Sequence, residues 1–315
     1  MLQDLLKSMR VVALPTKSNF RGVKTREVAL FKGEFGWGEF SPFLEYGIDE
    51  CVPWLQSAIA AATKPAPKLF REKIKVNGTI PAIKNPAEIE EIVQSFDGVN
   101  TYKIKVGENL SEDLARIAKV RTLSPKAKLR IDVNAGWSVE TAITNLRVIY
   151  ENIGELEYVE QPCATIDELK RLKDEVKIPL KIAGDEILRK AKDPLKVDIA
   201  GAIDILVLKV QPLGGIDRAN QLANHHKLPV VISSALESAV GINYGLQLAG
   251  SIPNLEFDCG LGTGALLTKD IGNLPIINGE IMITNVEPDL SGLEVSPDRY
   301  EWWKNRVLET AEKIK

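Results

Sequence analysis

The sequence predicts an α/β protein whose main domain is a TIM-type barrel. Two observations carry this expectation. From about residue 73, short β-branched runs alternate strictly with amphipathic stretches, which implies a parallel sheet. Eight such runs recur along the chain, at a repeat of roughly 25 to 30 residues, and a barrel of this kind takes about 250 residues. A doubly wound sheet fits less well, because no G-x-G-x-x-G follows the first run.

The opening of the chain is of another kind. "RVVALP", "KTREVALFKG" and "FGWGEF" read as strands, punctuated by Gly33, Gly36 and Gly38. "IDECVPWLQSAIAAAT" reads as a helix, with Asp49 as N-cap and Pro65 and Pro67 ending the run. Together they make a small α+β unit. The barrel strands are expected at 74–80, 101–106, 128–134, 156–161, 179–186, 203–210, 228–235 and 255–260. Segments such as "PAEIEEIVQSF", "SEDLARIAKVRTL", "VETAITNLRVIYENI" and "IDRANQLANHHK" supply the helices between them. Beyond residue 270 the alternation fades. "LPIINGEIMITNVEPDLSGLEV" reads as hairpin or loop, and "SPDRYEWWKNRVLETAEKIK" as a helix able to fold back onto the N-terminal unit.

Composition narrows the function classes. The 315 residues carry 40 basic and 43 acidic side chains, a near balance that argues against a general nucleic-acid binder. The N-terminal residues lack the apolar core of a signal peptide, and no apolar run reaches membrane-spanning length, so neither a leader nor a membrane partner is expected. Cys51, Cys163 and Cys259 lie far apart, give no zinc spacing, and suit a reducing, cytoplasmic setting. The only two histidines, His225 and His226, are adjacent in a helical stretch and diverge from each other. Acid–base work in this chain therefore falls to Lys, Asp or Glu.

Charged residues collect at the ends of the expected strands. "TYKIKVG" places Lys103 and Lys105 two apart, hence on one face, with Tyr102, Ile104 and Val106 on the other. Asp132 and Asn134 end the next strand in "RIDVNAGW", Glu160 ends "YVEQP", Asp185 ends "AGDE", and Lys209 ends "VLKVQPLGG". In a barrel these ends meet at one mouth. Three carboxylates on adjacent strands, with no His or Cys among them, favour Mg²⁺ over zinc. The flanking lysines suit proton transfer, since an ammonium loses its proton more readily where a metal and other ammonium groups are near. Singly, each residue has a bland explanation. A strand-end Asp caps a helix, and a K-x-K pair decorates an edge strand. The ordered set across consecutive strands raises the functional reading.

These motifs, in this order, resemble the enolase superfamily, in its muconate-lactonizing-enzyme-like subgroup. "RGV", "GWGEFSPFLEY", "YVEQPC", "VVISSALESAVG" and "CGLGTGALL" resemble, more narrowly, the o-succinylbenzoate synthase family of the short actinobacterial kind. Two details depart from the commoner wording, "DVNAGW" and Gly184 before the Asp, and neither removes a ligand. The resemblance implies a (β/α)7β barrel over 73–270 and a capping domain made from 1–72 and the tail 271–315. It implies Mg²⁺, with Mn²⁺ able to substitute, on Asp132, Glu160 and Asp185. Lys105 and Lys209 would be the acid–base lysines, with Lys103 supporting Lys105 and Asn134 behind the ligands. The reaction implied is syn-dehydration of 2-succinyl-6-hydroxy-2,4-cyclohexadiene-1-carboxylate in menaquinone biosynthesis, a hydro-lyase step on a small carboxylate.

Further residues are expected to shape the pocket. Ser233 and Ser234 could receive the succinyl carboxylate or cap the following helix. Gly260 and Gly262 could leave room for the ligand, or Gly262 could serve a turn. Arg21, with Asn19 and Phe20, could close over the mouth or lie on the surface. Trp37 and Trp137 read as packing residues. Glu237 is expected in the first turn of the following helix, favoured there by the helix dipole. A rival reaction on the same scaffold is N-succinylamino acid racemisation or dipeptide epimerisation, with Lys105 and Lys209 as the two bases. A non-catalytic relative would be expected to have lost a ligand or a base, and none is lost. The sequence specifies no oligomeric state and is compatible with a monomer.

Overall fold

In the computed structural model, which describes residues 2–20, 23–107 and 109–314, the chain opens with a short helix α1 (Leu2–Ser8) that sequence reading missed. Three antiparallel strands follow, β1 (Arg10–Phe20), β2 (Val23–Gly33) and β3 (Gly36–Phe40). Helix α2 (Ile48–Thr63) lies across them. Two of the three punctuating glycines are there for α2. A Cβ on Gly33 would stand 2.3 Å from the Ala62 carbonyl oxygen, and one on Gly38 2.0 Å from that of Ala58. Only Gly36, at φ +133°, serves the turn itself. The α2 cap is Gly47 rather than Asp49. The Glu50 carboxylate reaches back to the Gly47 N–H at 3.1 Å, so the helix is capped two residues earlier than expected.

The barrel begins with β4 (Lys73–Lys75) and β5 (Gly78–Ile80), which sequence reading joined as one strand. Only β5 enters the parallel sheet. The units that follow are α3 (Pro86–Gln94), β6 (Thr101–Lys105), α4 (Leu110–Leu123), β7 (Lys128–Asp132), α5 (Val139–Ile153), β8 (Tyr158–Glu160) and α6 (Ile166–Glu175). Then come β9 (Ile182–Gly184), α7 (Glu186–Arg189), β10 (Ile205–Lys209), α8 (Ile216–His226), β11 (Val230–Ser233) and α9 (Ala239–Ser251). Side chains of Asn85, Asn109, Ser138, Thr165 and Ser238 cap their helices, so most βα loops end in the polar residue a helix start needs.

Strands β5 to β11 form one parallel sheet in sequence order. The expected eighth strand, 255–260, is reduced to two parallel bridges, Val76 with Cys259 and Ser233 with Gly260. Those bridges join the sheet's two ends. The Cys259 N–H donates to the Lys75 carbonyl at 2.8 Å, and the Gly260 N–H to the Ile232 carbonyl at 2.8 Å. Inside the barrel, Tyr158, Ala183, Ile205, Val207 and Val231 pack with Phe257. The Arg130 guanidinium lies 4.7 Å from the Tyr158 ring centroid and bonds Glu157, Asn77 and the Asp258 carbonyl.

Beyond the barrel, β12 (Glu280–Met282) pairs antiparallel with β4, and α10 (Pro297–Glu312) returns to the N-terminal sheet. Trp303 and Val307 share one core with Met9, Phe31, Phe40 and Trp54. Trp303 meets Phe40 edge to face at 5.9 Å, and its indole N–H donates to Glu27 at 2.7 Å. Replacing Trp303 by Ala should destabilise the protein by about 3–5 kcal/mol in urea unfolding. A loss below about 1 kcal/mol would mean that the tail does not hold this sheet.

Candidate active site

Parallel register sets the site. Lys105 pairs with Asp132, and Asp132 with Glu160, so three charged residues from β6, β7 and β8 stand in one row. Glu160 pairs in turn with Ala183, which puts Asp185 on the same inner face two residues further on. Lys103 lies one step deeper, paired with Arg130. Tyr102, Ile104 and Val106 point outward into the main core, as the alternation of "TYKIKVG" predicted. Strands β6 and β10 are four apart in an eight-membered ring. Lys105 and Lys209 therefore face each other across the mouth.

The side chains pair closely. Lys103 Nζ lies 2.8 Å from Glu160 Oε2 and 3.6 Å from Asp132 Oδ2, and Lys105 Nζ lies 3.9 Å from Asp132 Oδ1. Lys209 Nζ lies 2.5 Å from Asp185 Oδ2. Burial works against the Lys103 ammonium, but Glu160 and Asp132 hold its pKa above the usual lysine range. The facing carboxylates outweigh burial at this lysine. Burial also opposes ionisation of Asp132 and Asp185. Lys103, Lys105 and Lys209 overcome it at Asp132, and Lys209 and Arg189 at Asp185, so both pKa values are lowered. Glu160 goes the other way. Its burial outweighs Lys103, and its pKa is pushed up to about 7.

Among the described residues, no three His, Cys, Asp or Glu side chains converge as a ready cation cluster, since Asp132, Glu160 and Asp185 are each turned onto lysines. The donor chemistry nonetheless suits a hard divalent cation. All three offer carboxylate oxygens from adjacent strands, and Glu160 Oε1 is buried with no hydrogen-bond partner.

Several residues around this row were not legible in the sequence. Arg189 bonds Asp185 Oδ1 at 3.1 Å, Glu186 Oε1 at 2.7 Å and the Tyr46 hydroxyl at 3.2 Å, tying the N-terminal unit to the mouth. Asn134, by contrast, was expected behind the ligands, and it joins two carboxylates. Its N–H donates to Asp132 Oδ1 at 3.0 Å and its amide to Glu186 Oε1 at 3.1 Å. The Gln161 side chain accepts from the Asp185 and Ile187 N–H groups. Asn134, Ala135 and Gln161 hold positive φ just past β7 and β8, sparsely populated backbone of the kind that gathers at functional sites. The Gln in "YVEQP" and the Glu in "AGDE" were visible, but nothing local showed what they bond.

The remaining expected residues separate. Ser233 ends β11 beside Gly260, where a Cβ would come within 2.6 Å of Ser233 Oγ. Ser234 donates to the Gly260 carbonyl at 2.6 Å and pairs with Thr263 at 2.8 Å. Neither serine caps α9, because Ser238 does. The space beside Gly262 is taken by Asn77, Phe96 and Ile276 of the protein itself. Arg21 lies outside the described residues. Trp137 is buried in the main core and Trp37 packs against it. All three cysteines are buried and free, and burial pushes the Cys163 and Cys259 thiols up to about 12. Glu237 does not lie in the first turn of α9. It precedes the cap, is buried, and accepts the Ala235 N–H at 2.6 Å. The carboxylate at that helix start belongs to Glu39, which accepts the Gly241 N–H at 2.9 Å.

Residues 87–301 match the family described as enolase C-terminal domain-like, and residues 11–62 the family described as enolase N-terminal domain-like. The o-succinylbenzoate synthase of Mycobacterium ulcerans is 47% identical over 313 residues, covering 97% of this chain and 94% of its own. That of Mycolicibacterium smegmatis is 44% identical, covering 97% and 96%. Among solved structures, a muconate lactonizing enzyme from Pseudomonas fluorescens complexed with muconolactone gives a TM-score of 0.73 at 20% identity, covering 94% of this chain and 97% of its own. The L-Ala-D/L-Glu epimerase from Bacillus subtilis gives 0.72 at 22%, covering 91% and 98%. At these identities the two structures speak for the shared fold alone.

Burial, with Glu39 close by, pushes the Glu237 carboxyl from an ordinary 4.5 up to about 7. A carboxyl raised on folding binds a proton in the native state before the unfolded state does. Its contribution to stability is therefore full below pH 4.5 and is lost as pH rises through 7, a difference of about 3 kcal/mol. Glu237→Gln should lose less thermal stability between pH 5 and pH 8 than the parent protein. Parallel melting curves against pH would refute this.

Proposed function

This chain belongs to the o-succinylbenzoate synthase family of the enolase superfamily, and from that premise we propose how its mouth residues divide the work. It is an enzyme of the hydro-lyase class. The reaction is the dehydration of 2-succinyl-6-hydroxy-2,4-cyclohexadiene-1-carboxylate to 2-succinylbenzoate, which we place in menaquinone biosynthesis and in the cytoplasm. The observation that carries the division of roles is the pair of lysines facing each other across three carboxylates.

Lys105 takes the proton α to the ring carboxylate. It stands furthest out on β6, with its side chain 26% exposed, where Lys103 is nearly enclosed. The electrons of the broken C–H bond pass into the carboxylate as an enediolate. They return to expel the hydroxyl on the same face, which leaves as water carrying the proton from Lys105 Nζ, and the ring becomes aromatic. Lys103, paired with Glu160 and Asp132, keeps its proton and fixes those carboxylates. Lys209 faces the opposite side of the ring, where its charge stabilises the dianion. Ser233, at the end of β11, is assigned here to the succinyl carboxylate. Asp132, Glu160 and Asp185 would hold Mg²⁺, or Mn²⁺ in its place, and the bound ion supplies Lewis-acid stabilisation of the developing negative charge.

Racemisation or epimerisation would use the same two lysines as alternating bases. The 44–47% identity to o-succinylbenzoate synthases favours dehydration, since the epimerase likeness extends only to fold. Proton exchange in D₂O, measured beside dehydration, separates the two.

Lys105→Ala should lower turnover by at least about 10²-fold, while the thermal midpoint and Mg²⁺ binding by calorimetry stay as in the parent. Turnover near the parent rate would refute the base assignment. Chelation with EDTA should abolish dehydration and added Mg²⁺ restore it, and Asp185→Asn should raise the Mg²⁺ concentration required. Full turnover in metal-stripped protein would remove the metal from this account.

A further inference from the structure

Glu39 sits on β3, in the N-terminal unit, yet its bonds run into the barrel. The side chain is buried and collects five donors. Oε1 accepts from Ser41 Oγ at 2.6 Å, Gln211 Nε2 at 3.1 Å and the Ser238 N–H at 3.4 Å. Oε2 accepts from Ser238 Oγ at 2.5 Å and the Gly241 N–H at 2.9 Å. A cap-domain carboxylate thus occupies the N-terminus of a barrel helix, where the free N–H groups and the helix dipole favour negative charge.

Two of these donors lead to the mouth. Gln211 lies two residues past Lys209, and its other amide atom accepts the Ser41 N–H at 3.3 Å. Ser238 starts α9, directly after the loop that carries Ser233 and Ser234. The packing is tight, since a Cβ on Gly241 would stand 2.8 Å from Gln211 Nε2. Arg26 grips the same loop from β2. Its guanidinium donates to the Leu236 and Ser41 carbonyls and lies 4.5 Å from the Phe43 ring centroid, while Leu236 is held at φ +62°. A buried carboxylate is costly unless fully bonded, and apolar contacts join domains at lower cost. What the bonded carboxylate adds is direction, because it fixes Gln211 and the α9 start at once.

We propose that Glu39 is a positioning residue for the reaction, setting from the capping domain the placement of Lys209 through Gln211 and of the Ser233–Ser234 loop through Ser238. This rests on the reading of Lys209 as the residue facing the substrate ring. Glu39 itself touches no reacting atom. Because it acts through Gln211, the two form one unit, and removing either disables the same arm.

The test is steady-state kinetics of the Mg²⁺-loaded enzyme for Glu39→Gln, Gln211→Ala, their double variant and Lys209→Ala, beside thermal midpoints. Each single change at 39 or 211 should lower kcat tenfold or more and change KM less than threefold. The double variant should be no slower than the slower single, with all proteins folded at the assay temperature. Should Glu39→Gln fail to fold, Ser238→Ala, which removes one donor to Glu39 together with the α9 cap, should lower kcat at least threefold, with Ser238→Thr restoring both the cap and kcat. Glu39→Gln with parent kcat and only a lower midpoint would overturn the inference, leaving Glu39 as domain glue. Effects that multiply in the double variant would overturn it also. An unchanged Lys209→Ala would refute the reading of Lys209 and this inference together, whereas a slow Lys209→Ala beside a normal Glu39→Gln refutes the inference alone.

Discussion

Strand register is the constraint on which the mouth depends. Because Lys105, Asp132 and Glu160 are hydrogen-bonded neighbours across β6, β7 and β8, their side chains have no choice of face. A slip of one residue in β7 would turn Asp132 outward into the core and set apolar residues, Leu129 and Ile131 or Ile131 and Val133, beside Lys103 and Lys105. The closing bridges at Cys259 and Gly260 then bring β10 opposite β6, so that the same register also sets Lys209 against Lys105. Helix caps, interior packing and the Arg130 plug all serve to keep those strands aligned.

Charge balance is the second layer. Four buried carboxylates, Asp132, Glu160, Asp185 and Glu186, share the mouth with Lys103, Lys209 and Arg189, and Lys105 stands at its rim. The pairings are uneven. Asp185 is gripped by two cations and its pKa is lowered, while Glu160 has one oxygen paired and one bare, and its pKa is raised. That asymmetry comes from burial at Glu160 and from the Lys209 and Arg189 contacts at Asp185.

Legibility followed sequence distance. The β–α alternation and the charged strand ends could be read because period-two and period-3.6 patterns are local. Lys103 and Lys105 were assigned to the inner face from spacing alone. The chain from 74 to 80 was read as one strand because its break depends on β12, some two hundred residues later. Glu237 was given the helix-start role by proximity, whereas the residue that fills it is Glu39, 202 positions from Gly241. Arg189 and Tyr46, 143 apart, were invisible for the same reason. Contacts that weld one domain to another leave no periodic trace in either.

The bond between Trp303 and Glu27 spans 276 positions, and the whole barrel lies between its ends. On the ribosome, β2 and β3 emerge early and carry Phe31 and Phe40 with no α10 to cover them. The barrel strands are all made before that cover exists. The N-terminal sheet must therefore wait, half-cored, through most of translation, and the order of synthesis runs opposite to the order in which this domain can close. Aggregation during expression should thus depend on how this sheet is shielded in the interval, a burden that falls on chaperones rather than on the stability of the finished fold.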